Sequence, residues 1–107
     1  MKPHKRPETL SEVASWSASE ADFGSNLADF EHELARLSSR KALFAAIETC
    51  PPLLAHKFQA GAIADAWLAG YAEELAFRFG LDYPDWIWGE ARFLDEPYNY
   101  YAHSARL

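Results

Sequence analysis

The sequence predicts an all-α fold: a single compact bundle of four to five helices, with a long central helix over about 57–79 and an aromatic-rich C-terminal segment. Three observations carry that expectation. Apolar residues recur at intervals of three and four from Phe23 to Leu37, and at intervals of four from Ile63 to Phe79, which is the period of a helix face. Helix punctuation divides the chain, with Ser and Thr caps ahead of the first three helices, Pro51-Pro52 behind the third and Gly80 behind the fourth. No segment alternates with period 2 for long enough to read as a strand.

Residues 1–8 read as a basic, irregular lead-in holding Pro3 and Pro7, and residues 9–107 as one helical domain. Thr9-Leu10-Ser11-Glu12 is a capping box that opens a short helix over about 9–17, with Leu10, Val13 and Trp16 or Ala14 inward. Ser19, followed by Glu20 and Asp22, caps a second helix. Its seam of Phe23, Leu27, Phe30, Leu34 and Leu37 spans two heptads, too short for a coiled coil, so it is expected to pack within the domain. Ser38 or Ser39 caps a third helix of about 39–49, with Leu43, Phe44 and Ile47 inward. The two prolines end it, because neither donates an amide.

The fourth helix is expected to present Ile63, Trp67, Tyr71, Leu75 and Phe79 as its apolar stripe. A nearly side-chain-free row of Ala62, Ala66 and Gly70 would admit a close helix neighbour. Asp65, Glu73, Glu74 and Arg78 are placed on its wetter side, with Glu74 and Arg78 as an i,i+4 pair. Gly80 suits a left-handed cap with Leu81 as its hydrophobic contact. A short helix of about 84–92 then carries Trp86, Ile87 and Trp88.

Composition excludes several function classes. Half of the 107 residues are apolar and 15% aromatic, which excludes disorder for the body of the chain. Net charge is −6, and because residues 1–7 hold +3, residues 8–107 carry −9. Such a body repels phosphate backbones, so direct nucleic-acid binding is disfavoured and a basic protein is the expected partner. The single Cys50 has no partner for an internal disulfide, no run reaches the length of a membrane span, and the basic N-terminus lacks an apolar stretch behind it. A cytoplasmic setting is expected.

No catalytic, metal or cofactor site is expected. His4, His32, His56 and His103 are scattered outside any metal-ligand spacing. Cys50 stands at a helix C-terminus, where the backbone dipole disfavours a thiolate, so it reads as inert and partly buried. The glycines form no phosphate-cradling loop. What remains is aromatic. Trp86, Trp88, Tyr98, Tyr100 and Tyr101 place five Trp and Tyr rings in sixteen residues, interleaved with acids including Asp95 and Glu96. That composition matches binding surfaces, and equally a flap covering the domain's own open end. Trp86, Trp88, Asp95, Glu96, Tyr98, Tyr100 and Tyr101 are therefore the candidate partner-binding residues.

The block ADAWLAGYAEELAFRFGLDYPDW…RFLDEPY resembles an uncharacterised family of small all-helical bacterial proteins. The matching residues are Ala64, Asp65, Ala66, Leu68, Ala69, Glu74, Leu75, Ala76, Gly80, Leu81, Pro84, Trp86, Arg92, Phe93, Leu94, Pro97 and Tyr98. The resemblance implies no enzyme activity. It implies association with regulators or toxins, because members stand alone or behind a helix-turn-helix module and some accompany toxin genes. This chain carries no such module of its own.

The expectation is a non-enzymatic, antitoxin-like or regulatory protein-binding module that masks a basic surface. An alternative is a phage- or plasmid-encoded inhibitor mimicking nucleic acid through an aligned row of Asp22, Asp29, Glu33 and Glu73. From a different class comes a small helical enzyme using a carboxylate cluster. A homodimer would pair through the Phe23–Leu37 seam or the Ala62/Ala66/Gly70 row.

Overall fold

The computed structural model describes residues 5–93, which form four α-helices and two 3-10 turns with no strand among them. The helices are α1 (Leu10–Ser15), α2 (Glu20–Leu34), α3 (Arg40–Glu48) and α4 (Gly61–Phe79). The expected all-α bundle with a long fourth helix is present.

The first three helices start where their side-chain caps place them. Thr9 Oγ1 accepts from the Glu12 amide at 3.0 Å, Ser19 Oγ from Asp22 at 3.1 Å and Ser39 Oγ from Ala42 at 3.1 Å. Each cap satisfies an amide that the first helical turn leaves without a partner. Glu12 reaches back one residue further than a capping box requires, accepting from the Glu8 amide at 2.8 Å. Asp22 does the same for Ala18 at 3.0 Å.

Helix α4 begins at Gly61 rather than near 57, and no side chain caps it. The preceding residues turn instead, with Lys57 donating to the Leu54 carbonyl and Gly61 to Phe58, both at 2.9 Å. The cause is a backbone crossing. A Cβ on Gly61 would lie 1.8 Å from the Leu54 carbonyl oxygen, so the chain folds back against the start of its own helix through a gap only glycine leaves open. At the far end Gly80 adopts φ 65°, ψ 40°, and the Leu81 amide returns to the Ala76 carbonyl at 2.8 Å, closing the expected left-handed cap. Arg40 of α3 donates to the Gly80 carbonyl.

The core is assembled from Leu10 and Val13 of α1, Phe30 of α2, Leu43 and Ile47 of α3, Leu54, and the inward face of α4. That face differs from the expected one. Ala64, Leu68, Ala69, Ala72, Leu75 and Ala76 are buried on α4. Ala62 is exposed, while Ala66 and Gly70 are only half-buried. The small residues that permit close approach are therefore the alanines one face round, and α3 and the 3-10 turns pack against α4. The aromatic stripe lies on the flank. Trp67 meets Phe23 of α2 edge-on at 6.5 Å, Tyr71 meets Phe30 at 6.3 Å, and the Tyr71 hydroxyl donates to Glu31 at 3.1 Å. Rings thus bridge α2 to α4. Phe79, expected in the stripe, is exposed. The seam of α2 faces inward as expected: Phe30 is buried, and Phe23, Leu27, Leu34 and Leu37 pack against the core.

The expected helix over 84–92 is two 3-10 turns, Asp85–Trp88 and Glu90–Arg92, separated by Gly89 in an extended conformation. Pro84 precedes the first turn with ψ 140° instead of lying inside it. Of the lead-in, residues 5–8 are described; they have no regular secondary structure and are held to the body. Pro7 is buried, and the Arg6 guanidinium lies 3.4 Å from Glu33 and 4.0 Å from Asp29.

Two glycines in opposite environments should respond oppositely to an added methyl. Gly61→Ala should lower unfolding free energy by about 3 kcal/mol or more, because backbone must move. Gly24→Ala lies mid-helix, with nothing within 4 Å of where the new methyl would sit. It should raise unfolding free energy by about 1 kcal/mol. Urea denaturation of both variants measures the difference.

Candidate functional site

Two arrangements occupy the C-terminal part of the described chain, one facing inward and one outward. The inward one centres on Asp65, which the sequence placed on the wet side of α4 and which is 1% exposed. The correction has its cause in the preceding loop. After Pro51-Pro52 the chain runs without secondary structure, so the Leu54 and Ala55 amides have no ladder or helix partner. Asp65, one turn into α4, supplies both acceptors: Leu54 donates to Oδ1 at 2.7 Å and Ala55 to Oδ2 at 3.1 Å.

Arg92 closes the arrangement from the second 3-10 turn. Its Nη1 lies 3.6 Å from Asp65 Oδ1, and its Nη2 donates to the Pro51 carbonyl and lies 3.5 Å from Cys50 Sγ. The guanidinium also sits 5.0 Å from the Trp86 ring centre. Burial pushes the Asp65 carboxyl above its ordinary value of 3.8, while the Leu54 amide, the Arg92 charge, the Ala55 amide and His56 oppose that shift.

This inward arrangement also engages one of the candidate partner-binding residues. Trp86 is half-buried, and its indole N–H donates to the Ile47 carbonyl at the end of α3 at 2.9 Å. With one face beside Arg92 and its only side-chain donor used, Trp86 anchors the segment to the body. Cys50, expected to be partly buried, is exposed at the rim of the same arrangement.

The outward arrangement is an aromatic and acidic edge over residues 82–93. Trp88 is 54% exposed, Tyr83 44% and Phe93 62%. The Tyr83 and Trp88 rings lie 6.2 Å apart at 49°. Asp82, Asp85 and Glu90 are exposed among them, with no side-chain partner among the described residues. Of the candidate residues, Trp88 belongs to this edge, whereas Asp95, Glu96, Tyr98, Tyr100 and Tyr101 lie outside the described residues. Tyr83 and Phe93 are not among the candidate partner-binding residues read from the sequence. Their signal is nevertheless present, since each flanks the turn whose inward positions are Trp86, Ile87 and Arg92. Phe77, 74% exposed, also escapes a periodicity reading, because it falls off the i,i+4 stripe of α4.

Other candidates are accounted for locally. Asp22 is bonded to its own cap, and Asp29 and Glu33 face Arg6, so three members of the expected phosphate-like row are already engaged. No group of three or more His, Cys, Asp or Glu residues that could hold a metal ion occurs among the described residues. Three cavities stand out elsewhere. An open polar space of about 470 Å³ lies beside Lys5, Arg6, Glu8 and Glu33. A groove of about 270 Å³ lies between the start of α1 and α3, lined by Leu37, Ala42 and Ala45 among others. A cleft of about 80 Å³ lies between α2 and α4. None of the three contains Asp65. No described helix is long and apolar enough to cross a membrane. Comparison with known proteins finds no matching family model, no matching curated protein and no matching solved structure.

Asp65→Ala should cost about 3–5 kcal/mol in urea denaturation, since it orphans two amides and a buried guanidinium together. A carbon-detected NMR titration should place the Asp65 carboxyl above 3.8. Between 3.8 and that raised value the folded chain holds a proton that the unfolded chain has released. The contribution of this group to stability therefore falls as pH rises through that window and is constant above it.

Proposed function

We propose that this chain is a non-enzymatic protein-binding module, antitoxin-like or a regulatory partner, that masks a basic surface of another protein. The observation that carries the reading is the 82–93 edge. There Tyr83, Trp88 and Phe93 stand exposed among the carboxylates of Asp82, Asp85 and Glu90, which pair with no described side chain. Exposed Trp and Tyr on a rigid support are the residues that most often dominate binding energy, because they bury large area with little loss of conformational freedom. The support here is rigid because Trp86, Ile87 and Arg92 are packed beneath.

Charge supports the choice of partner. Net charge is −6, and exposed carboxylates around an aromatic centre favour lysine and arginine rims on the opposing surface. A cytoplasmic setting suits a chain whose single cysteine has no internal disulfide partner.

The test is affinity capture from the producing organism with the full chain and with a Tyr83→Ser/Trp88→Ser double variant. The wild-type chain should retain a basic protein, and the double variant should bind it about 30-fold more weakly or worse, at an unchanged unfolding midpoint. Undiminished binding by a variant that remains folded, or recovery of acidic proteins only, would overturn the reading.

A further inference from the structure

We infer that the cleft between α2 and α4 is a binding site for the primary ammonium group of a lysine side chain. The inference deepens the proposed reading by naming a residue type on the partner, and it rests on that reading only for the source of the lysine. The cleft itself is defined by three aromatic rings from three parts of the chain: Phe23 on α2, Phe58 in the turn before α4, and Trp67 on α4.

These rings are splayed. Phe23 stands at 90° to Trp67 with centroids 6.5 Å apart, and at 41° to Phe58 with centroids 6.4 Å apart. Trp67 is also stacked on Tyr71 at 4.8 Å and 28°. Rings set at such angles cannot close flat against one another, and they leave a cleft of about 80 Å³ that Ile63 also lines. That space suits an ammonium group with its last one or two methylenes, and is small for a bulkier headgroup.

Charge selects the occupant. Aromatic faces carry a negative quadrupole that attracts cations. Glu20 lines the cleft, is exposed, and has no side-chain partner among the described residues. Among those residues no cationic side chain lines the cleft to fill that role from within. A lysine satisfies every feature at once: methylenes against Phe58 and Ile63, the ammonium near the rings, and its charge facing Glu20. A norleucine-like chain would satisfy only the first.

The experiment is an NMR titration of the full chain with N-acetyl-lysine methylamide, alongside N-acetyl-norleucine methylamide at matched ionic strength. The lysine compound should shift the Trp67 indole N–H and the Phe23 and Phe58 amides saturably. Affinity should fall about five-fold for the norleucine compound and by a similar factor in Glu20→Gln, an exposed substitution that leaves the core untouched. Phe58→Leu, which keeps apolar volume and removes the ring, should weaken binding likewise. Equal shifts from both compounds, unchanged affinity in Glu20→Gln, or shifts confined to other residues would overturn the inference. A Tyr83→Ser/Trp88→Ser chain that loses its protein partner yet still binds the lysine compound separates failure of the edge from failure of the cleft.

Discussion

The carboxylate of Asp65 joins three stretches of chain that local structure would leave apart. It accepts the amides of Leu54 and Ala55 from the loop after the prolines, and it faces Arg92 from the last 3-10 turn. The same guanidinium reaches back to the Pro51 carbonyl, so the loop is clamped from both sides. Gly61 makes the geometry reachable by letting Leu54 cross the helix start at backbone contact distance. A buried ion pair is weak evidence for stability in itself, since taking two charges from water is costly. Its value here lies in supplying acceptors to a proline-broken segment that lacks a helix or ladder of its own, which also sets where α4 begins.

That constraint divides the C-terminal segment into two faces. Arg92 and Trp86 hold residues 85–92 against α4 and α3, one through Asp65 and the other through Ile47. With those side chains turned inward, Tyr83, Trp88 and Phe93 are left facing solvent beside exposed carboxylates. The segment is thus both a flap over the core and an exposed edge, in alternate positions. The two uses of an aromatic-rich C-terminus are compatible because 3-10 turns present successive residues to different sides.

A second consequence concerns α2. The α4 alanines are buried in the core, and α3 and the 3-10 turns pack against that helix, while Trp67 and Tyr71 hold α2 through ring contacts with Phe23 and Phe30. Packing through rings at steep angles leaves a recess that packing through alanines would close. The cleft beside Glu20 is a product of that choice of side chains along one helix.

Helix identity, the three side-chain caps and the Gly80 stop were legible because each depends on residues within about four positions of one another. The seam of α2 was legible for the same reason. The start of α4 was not, because it depends on contact between Leu54 and Gly61 and on amides that seek Asp65. A periodicity reading sends a lone carboxylate to the wet side of a helix, since nothing nearby in sequence reveals orphaned amides eleven residues earlier. Likewise the sequence marks Trp86 and Trp88 as equivalent aromatics. Their different fates follow from the Ile47 carbonyl, 39 residues away, which accepts the indole N–H of one and not the other. The order of helices was therefore determined by the chain's local chemistry alone. Which aromatics and which carboxylates remain free to meet another molecule was decided only by tertiary structure, because only folding shows which polar partners are already taken.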